Sequence, residues 1–422
     1  MYRIKFVFLA VISAILPGIV LAQNNTNSPY TRYGYGKLAD KAFTTQRGMG
    51  GIGYGLRNPE LINPMNPASY SAIDSMTFMF DFGVMGQYAW FQDGANKTTK
   101  LNGNLEYLAL QFPLQKNLGM GVGIEPVSYV GYHYGDTTHL ASDGATVSNV
   151  FQGWGGTSKV YGTLSYNLFN KLSVGMKVGY LFGDIYHTNT VGFGSEVYNT
   201  SWRDTLTTTG LTFDIGLQYK FPLKKYESLT VGAVYTPKTS FTGRVATDTL
   251  RYSLTGALIS NNPVVFRNMA FEMPESYALG FSYNKLSKMT VGADVLYQKW
   301  AAANYYDRTD ALNNRIKINA GGEFIPNQMS NRYYNRVRYR AGLNYSNSYL
   351  KVMDSSYKEY GISAGVGLPG TLLHDGHRSY INLAIEYSML RPDVGTLLKE
   401  QYFKFTVSYT FSEQWFFKRK VQ

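Results

Sequence analysis

Hydrophobic and polar positions alternate along most of the chain. From Leu172 to Phe182, Leu172, Val174, Met176, Val178, Tyr180 and Phe182 fall on one face; Ser173, Gly175, Lys177 and Gly179 fall on the other. Leu211 to Phe221, Ile381 to Met389 and Phe403 to Phe411 repeat the pattern. A period of two is the signature of a β-strand with two unlike faces. It predicts fourteen strands near 76–91, 104–114, 118–134, 157–168, 171–188, 206–221, 227–241, 274–284, 287–300, 332–345, 347–353, 357–368, 378–390 and 398–411, of which 347–353 is the weakest. Short connections such as Gln115-Lys116-Asn117, Asn170-Lys171, Lys224-Lys225 and Lys285-Leu286 follow even-numbered strands. Mostly longer ones, including 242–273 and 301–331, follow odd-numbered strands. The connections at 354–356 and 369–377 depart from that rule.

Tight turns on one side and long loops on the other characterise outer-membrane β-barrels, and an even strand count puts both termini in the periplasm. Backbone groups in lipid must all be paired, so such a sheet has to close. The predicted fold is therefore all-β: a transmembrane antiparallel β-barrel of about fourteen strands over residues 76–411, with residues 412–422 as a periplasmic C-terminal extension. That extension carries Trp415-Phe416-Phe417 and Lys418-Arg419-Lys420, either the end of a longer last strand or a docking tag.

Residues 1–22 read as a signal peptide. Arg3 and Lys5 precede an apolar run, and Val20-Leu21-Ala22 leads to a cut before Gln23. Residues 23–75 lack the strand pattern. They are rich in Gly, Asn and Pro, as in Gly48-Met49-Gly50-Gly51 and Asn66-Pro67-Ala68. The lumen of a fourteen-stranded barrel is too wide for wall side chains to fill, so this segment is expected to plug it as a hatch. Tyr30, Tyr33, Tyr35, Phe43 and Tyr54 argue against a disordered tail.

Composition narrows the picture. The 422 residues are 44% hydrophobic, 15% aromatic and 16% charged, with no cysteine. No window beyond the leader holds the 18 apolar residues of a membrane helix. The absence of cysteine excludes a lipid-anchored N-terminus, a disulfide scaffold and a cysteine nucleophile. The net charge is +12; removing the two basic residues of the leader leaves +10. The basic residues are scattered and the chain is exported, so no nucleic-acid partner is expected. Arg336, Arg338 and Arg340 put a row of charge on one strand face.

Little in the sequence points to chemistry. Gly48 to Gly55 lacks the Lys-Ser/Thr ending of a phosphate loop, so no nucleotide cofactor is expected. His374-Asp375-Gly376-His377 is the one histidine cluster, in a predicted turn without a helix to align ligands, and reads as a polar turn without metal. No catalytic triad can be read from the spacing of His133, His187 and the serines, so no catalytic residue is assigned and no enzyme is expected. Trp90, Trp154, Trp202 and Trp300 suit interfacial anchoring.

Gln46 to Gly51 followed by Asn66-Pro67-Ala68 resembles the plug region of the FadL family of outer-membrane transporters for long-chain fatty acids and hydrocarbons. Tyr166 to Gly175, Leu229 to Pro237, and Met273 to Gly280 with Thr290 to Asp294 and Trp300 are similar to later parts of that family. The resemblance implies a hatch built on Gly48, Gly50, Gly51, Asn66, Pro67 and Ala68. It also implies passive uptake of a hydrophobic ligand, which leaves into the outer-membrane lipids beside a kinked third strand. The third strand here contains Gly121, Gly123 and Glu125-Pro126. Proline cannot donate to the ladder, so Pro126 marks a lateral-gate candidate or a bulge near a rim. The leading expectation is passive hydrophobic-compound transport by lateral diffusion through the barrel wall; the alternative is a non-transporting FadL-like barrel serving as a fixed subunit of an outer-membrane secretion or assembly complex.

Overall fold

The computed structural model describes residues 26–139, 146–193, 198–253, 257–285, 288–352, 355–370, 379–394 and 397–414. The expected signal peptide, the histidine pair His374 and His377, and residues 415–422 lie outside the described residues.

Antiparallel strands follow the chain. They are β1 (Thr77–Asp93), β2 (Asn96–Gln115), β3 (Leu118–His139), β4 (Thr146–Leu168), β5 (Leu172–Phe193), β6 (Tyr198–Pro222), β7 in two parts (Glu227–Thr236 and Thr239–Ser253) and β8 in two parts (Leu258–Met273 and Ser276–Lys285). They continue with β9 (Met289–Gln298), β10 (Arg315–Phe324), β11 (Arg338–Asn347), β12 (Tyr357–Pro369), β13 (Tyr380–Pro392) and β14 (Lys399–Gln414). Each pairs with the next, and β14 returns to β1 from Lys399↔Gln92 to Gln414↔Thr77, closing a fourteen-stranded barrel. The breaks in β7 and β8 face each other. Pro237 lies in one and Pro274 in the other, where neither has an N–H to give.

The faces are inverted relative to a soluble protein. Met176, Tyr180, Leu211, Phe213, Ile215, Leu217, Ile385, Phe403 and Phe405 are exposed on the outside. Ser173, Lys177, Asp214, Gln218, Asn382, Glu386 and Thr406 are buried inside. Alternation thus sorts apolar side chains to a lipid face and polar ones to the lumen.

Three sequence expectations need correction. Residues 347–353 are not a strand: β11 ends at Asn347, and Tyr349, Leu350 and Val352 are all buried in an aromatic cluster, a period other than two. The missing strand is β10, inside the expected loop 301–331; its inward Arg315, Lys317 and Glu323 lower its hydrophobic signal. The expected loop 242–273 is instead largely a long hairpin of β7 and β8. The connections 116–117, 169–171 and 223–226, with Lys285 and Lys288 at the ends of β8 and β9, share one end of the barrel with the start of β1, the turn end; the long hairpins reach to the other, the loop end.

Candidate functional site

Residues 26–75 lie inside the barrel and bond to its wall almost all the way round. The segment begins near the loop end, where the Ser28 hydroxyl donates to Glu400 of β14 at 2.6 Å. Tyr35 is 0% exposed: Phe241, Phe271, Trp300 and Tyr305 surround its ring at centroid distances of 6.3, 6.3, 5.8 and 5.1 Å. Lys37–Leu38 then forms a two-residue strand on β3, pairing with Tyr129 and Ser128, and the Ala39 N–H donates to the Val127 carbonyl at 2.9 Å.

Below this the contacts turn ionic. Asp40 pairs with Lys317 of β10 at 2.5 Å and Lys41 with Asp214 of β6 at 3.6 Å. Burial pushes the Asp40 carboxyl up, but Lys317 and Arg47 outweigh it and hold the group well below the usual carboxylate range. Arg47 pairs with Glu106 of β2, and with Glu386 of β13 at 3.6 Å. Glu60 pairs with Arg338 of β11, which shares Glu323 with Arg340 at 3.1 and 2.7 Å. The lone Lys37 ammonium sits over the Tyr402 ring at 3.4 Å; burial, with Lys404 adding, pushes it down to about 8.

The residues singled out in the sequence do local jobs here. Gly48 ends the helical turn Thr44–Arg47. Gly50 and Gly51 have φ of 72° and 86°, the left-handed region that glycine enters freely. The Gly50 N–H donates to Ser363 of β12 at 2.9 Å, and Asn319 of β10 donates to the Gly51 carbonyl at 2.8 Å. The Asn66 side chain accepts from the Ala68 N–H at 3.0 Å and donates to the Tyr54 carbonyl at 2.8 Å, while Pro67 opens the turn Pro67–Ala72. Ser165 of β4 donates to the Ala68 carbonyl at 2.8 Å. Asp294 of β9 accepts from the N–H groups of Gly53 and Tyr54 at 2.5 and 2.9 Å; Gln218 of β6 and Ser282 of β8 donate to carbonyls nearby. The wall gives way where the segment presses on it: a Cβ on Gly232 would lie 1.9 Å from the Tyr54 carbonyl oxygen.

The third strand departs from its neighbour at the sequence-marked site. β3 pairs with β2 from Gln115↔Leu118 up to Leu108↔Ile124 and no further, although β2 continues to Asn96 along β1. From Glu125 onward β3 pairs with β4, with a register shift between Pro126 and Ser128, and with the Lys37–Leu38 strand. Gly121 and Gly123 make room for the rings of Tyr70 and Tyr161. Glu125 points into the lumen, where Lys177 and Lys159 pair with it at 2.8 and 3.0 Å. Lys177 also lies over the Tyr161 ring at 3.9 Å.

Between segment and wall lies a cavity of about 200 Å³. Seven cations line it (Lys37, Lys41, Arg47, Lys159, Arg315, Lys317 and Lys404), and so do seven anions (Asp40, Glu106, Glu125, Asp214, Glu359, Glu386 and Glu400). Of these residues sequence reasoning singled out Glu125 alone, as part of the gate candidate, and missed the rest. Their one signal was that each wall charge falls on the inward phase of its strand. Of the aromatics weighed as membrane anchors, Trp300 is instead buried beside Tyr35, and His187 meets the Tyr132 hydroxyl at 2.7 Å. Among the described residues no group of His, Asp and Glu could hold a metal.

Barrels of known structure share this fold. A FadL homologue from Pseudomonas aeruginosa matches at 13% identity and a TM-score of 0.62, over 89% of this chain and 99% of that one. The toluene transporter TodX of Pseudomonas putida matches at 17% and 0.57, over 90% and 100%. The toluene transporter TbuX of Ralstonia pickettii matches at 15% and 0.57, over 88% and 98%. A comparison with curated protein sequences found no match. The FadL resemblance read from the sequence therefore holds at the level of the fold. The model of the BamG family matches residues 2–422, so the chain belongs to the BamG family.

Proposed function

We propose that this chain is a plugged outer-membrane barrel that works as a fixed, non-conducting subunit of a larger outer-membrane complex. The observation that carries this reading is the chemistry of the lumen. An apolar molecule crossing the central cavity would displace water from fourteen ionised side chains and return no hydrogen bonds to them. The aromatic cluster at the loop end, the natural place to capture such a molecule, is filled by the chain's own Tyr35. The match to the BamG family model fits the same reading. In it, residues 26–75 are a hatch that is a permanent part of the structure, entered at its N-terminal end near the loop end, and the last strand ends on the periplasmic side.

A second reading, lateral uptake of a hydrophobic ligand, is favoured by one observation: the wall pairing between β2 and β3 stops at Ile124, next to Glu125 and Pro126. The neighbours described as toluene transporters supply the analogy. Gentle extraction followed by native mass spectrometry separates the two. A stoichiometric assembly with other polypeptides is the expected result; a monomer carrying a hydrophobic small molecule would support uptake instead.

A further inference from the structure

A group of exposed lysines lies on one arc of the turn end. Lys116, Lys171, Lys220, Lys224, Lys225 and Lys288 are exposed there, on four successive turns, and none forms an ion pair among the described residues. The acid on this arc, Glu227, already pairs with Lys285 at 3.3 Å. Acidic residues at this end, Asp74 and Glu413, lie instead where β14 meets β1. Backbone bonds tie three of the turns into one ledge: the Asn167 N–H donates to the Asn117 carbonyl and the Lys220 N–H to the Lys171 carbonyl, both at 2.8 Å.

Large apolar side chains stand among these lysines. Phe169 is 86% exposed, Tyr226 66% and Leu223 54%. Phe169 and Tyr226 have φ of 54° and 69°, a left-handed backbone that Gly or Asn adopts at lower cost. Phe169, an aromatic ring kept at a turn tip despite that cost and left uncovered, is a contact residue without its contact, whereas Lys225 lies over the Tyr226 ring at 5.3 Å. Apolar anchors within a charged rim are the composition of a protein interface.

We propose that this ledge docks an acidic partner protein on the turn side of the barrel, with Phe169, Leu223 and Tyr226 as anchors and the lysines as the surrounding charge. A lipid headgroup layer surrounds a barrel on every side, whereas this basic arc occupies part of the rim, and that asymmetry favours a partner seated at one side. The inference rests on the complex-subunit reading above and names which face the complex uses.

The test places benzoylphenylalanine at position 169 of the full-length chain in its own outer membrane, with position 101, at the loop end, as control. Irradiation is expected to yield one discrete protein adduct at 169, with a partner of acidic isoelectric point. The adduct should fall about tenfold in the K116E/K171E/K224E/K225E variant and on raising salt from about 0.15 to 0.5 M. Heat-modifiable gel mobility checks that the charge-reversed barrel is folded. Adducts to lipid alone, or a protein adduct indifferent to charge reversal, overturn the proposal. If the extracted complex stays intact while position 169 stays unlinked, the docking face is wrong and the subunit reading survives. If no complex is recovered either, both fall.

Discussion

Two seams in the wall differ. At β14–β1 the ladder runs unbroken from Lys399↔Gln92 to Gln414↔Thr77, so the barrel closes by its own hydrogen bonds. At β2–β3 pairing stops at Leu108↔Ile124, and above it the N-terminal segment lays Lys37–Leu38 against β3. The first seam needs nothing from the lumen; the second borrows a strand from it. Because unpaired backbone is costly in a membrane, the segment that fills the lumen also completes the wall there. The ion pairs of Asp40, Lys41, Arg47 and Glu60 make that arrangement hard to undo.

The largest expected effect follows from removing the segment. Deleting residues 26–75 leaves Glu106, Glu386, Asp214, Lys317 and Arg338 without their partners in the segment. The deletion removes five ion pairs and the strand laid against β3, so the barrel should lose its heat-modifiable form at much lower temperature. A deletion barrel of unchanged thermal stability would show that the β2–β3 seam stands alone, like β14–β1. Next comes Arg47→Met, which strands Glu106 and Glu386. It should weaken docking of the segment by about 3–5 kcal/mol, read as faster proteolysis of residues 26–75 with the strands intact.

Smaller effects sharpen the seam itself. Pro126→Val restores a backbone donor at the bulge and should change thermal stability by about 1 kcal/mol or less. It should leave complex assembly unchanged; slowed entry of a hydrocarbon would instead favour a lateral exit. A further effect is a pH dependence. Lys37 is pushed down to about 8 in the folded protein, against an ordinary lysine value near 10.5. A lowered base makes the folded state shed its proton first, so the cost of burying the charge is full below pH 8 and relieved between about 8 and 10.5. Protease protection of the segment should therefore rise over that window, and Lys37→Met should flatten the rise.

The wall was legible in the sequence where strands cross lipid, because lipid on one side and a polar lumen on the other impose the alternation seen at Leu172–Phe182. It was not legible where a strand leaves that setting. The upper halves of β7 and β8 project beyond the band and carry polar residues on both faces, so they read as loop. β10 alternates, but Arg315, Lys317 and Glu323 serve the lumen and masked it. Tyr349, Leu350 and Val352 read as a strand, although their burial comes from packing near Tyr35 and Trp300. Glycines and Asn-Pro marked the compact N-terminal segment, yet its ion-pair partners lie on distant strands, the nearest in sequence 59 residues away, and left no local signal.

The central claim, a lumen segment that stays put, is tested most directly by a reversible clamp. The chain has no cysteine, and Leu38 is the registered partner of Ser128, within disulfide reach for neighbouring antiparallel strands. Toluene flux into liposomes bearing the L38C/S128C protein is measured oxidised and reduced. The account predicts background flux in both states. Flux that appears on reduction and stops on oxidation would contradict it.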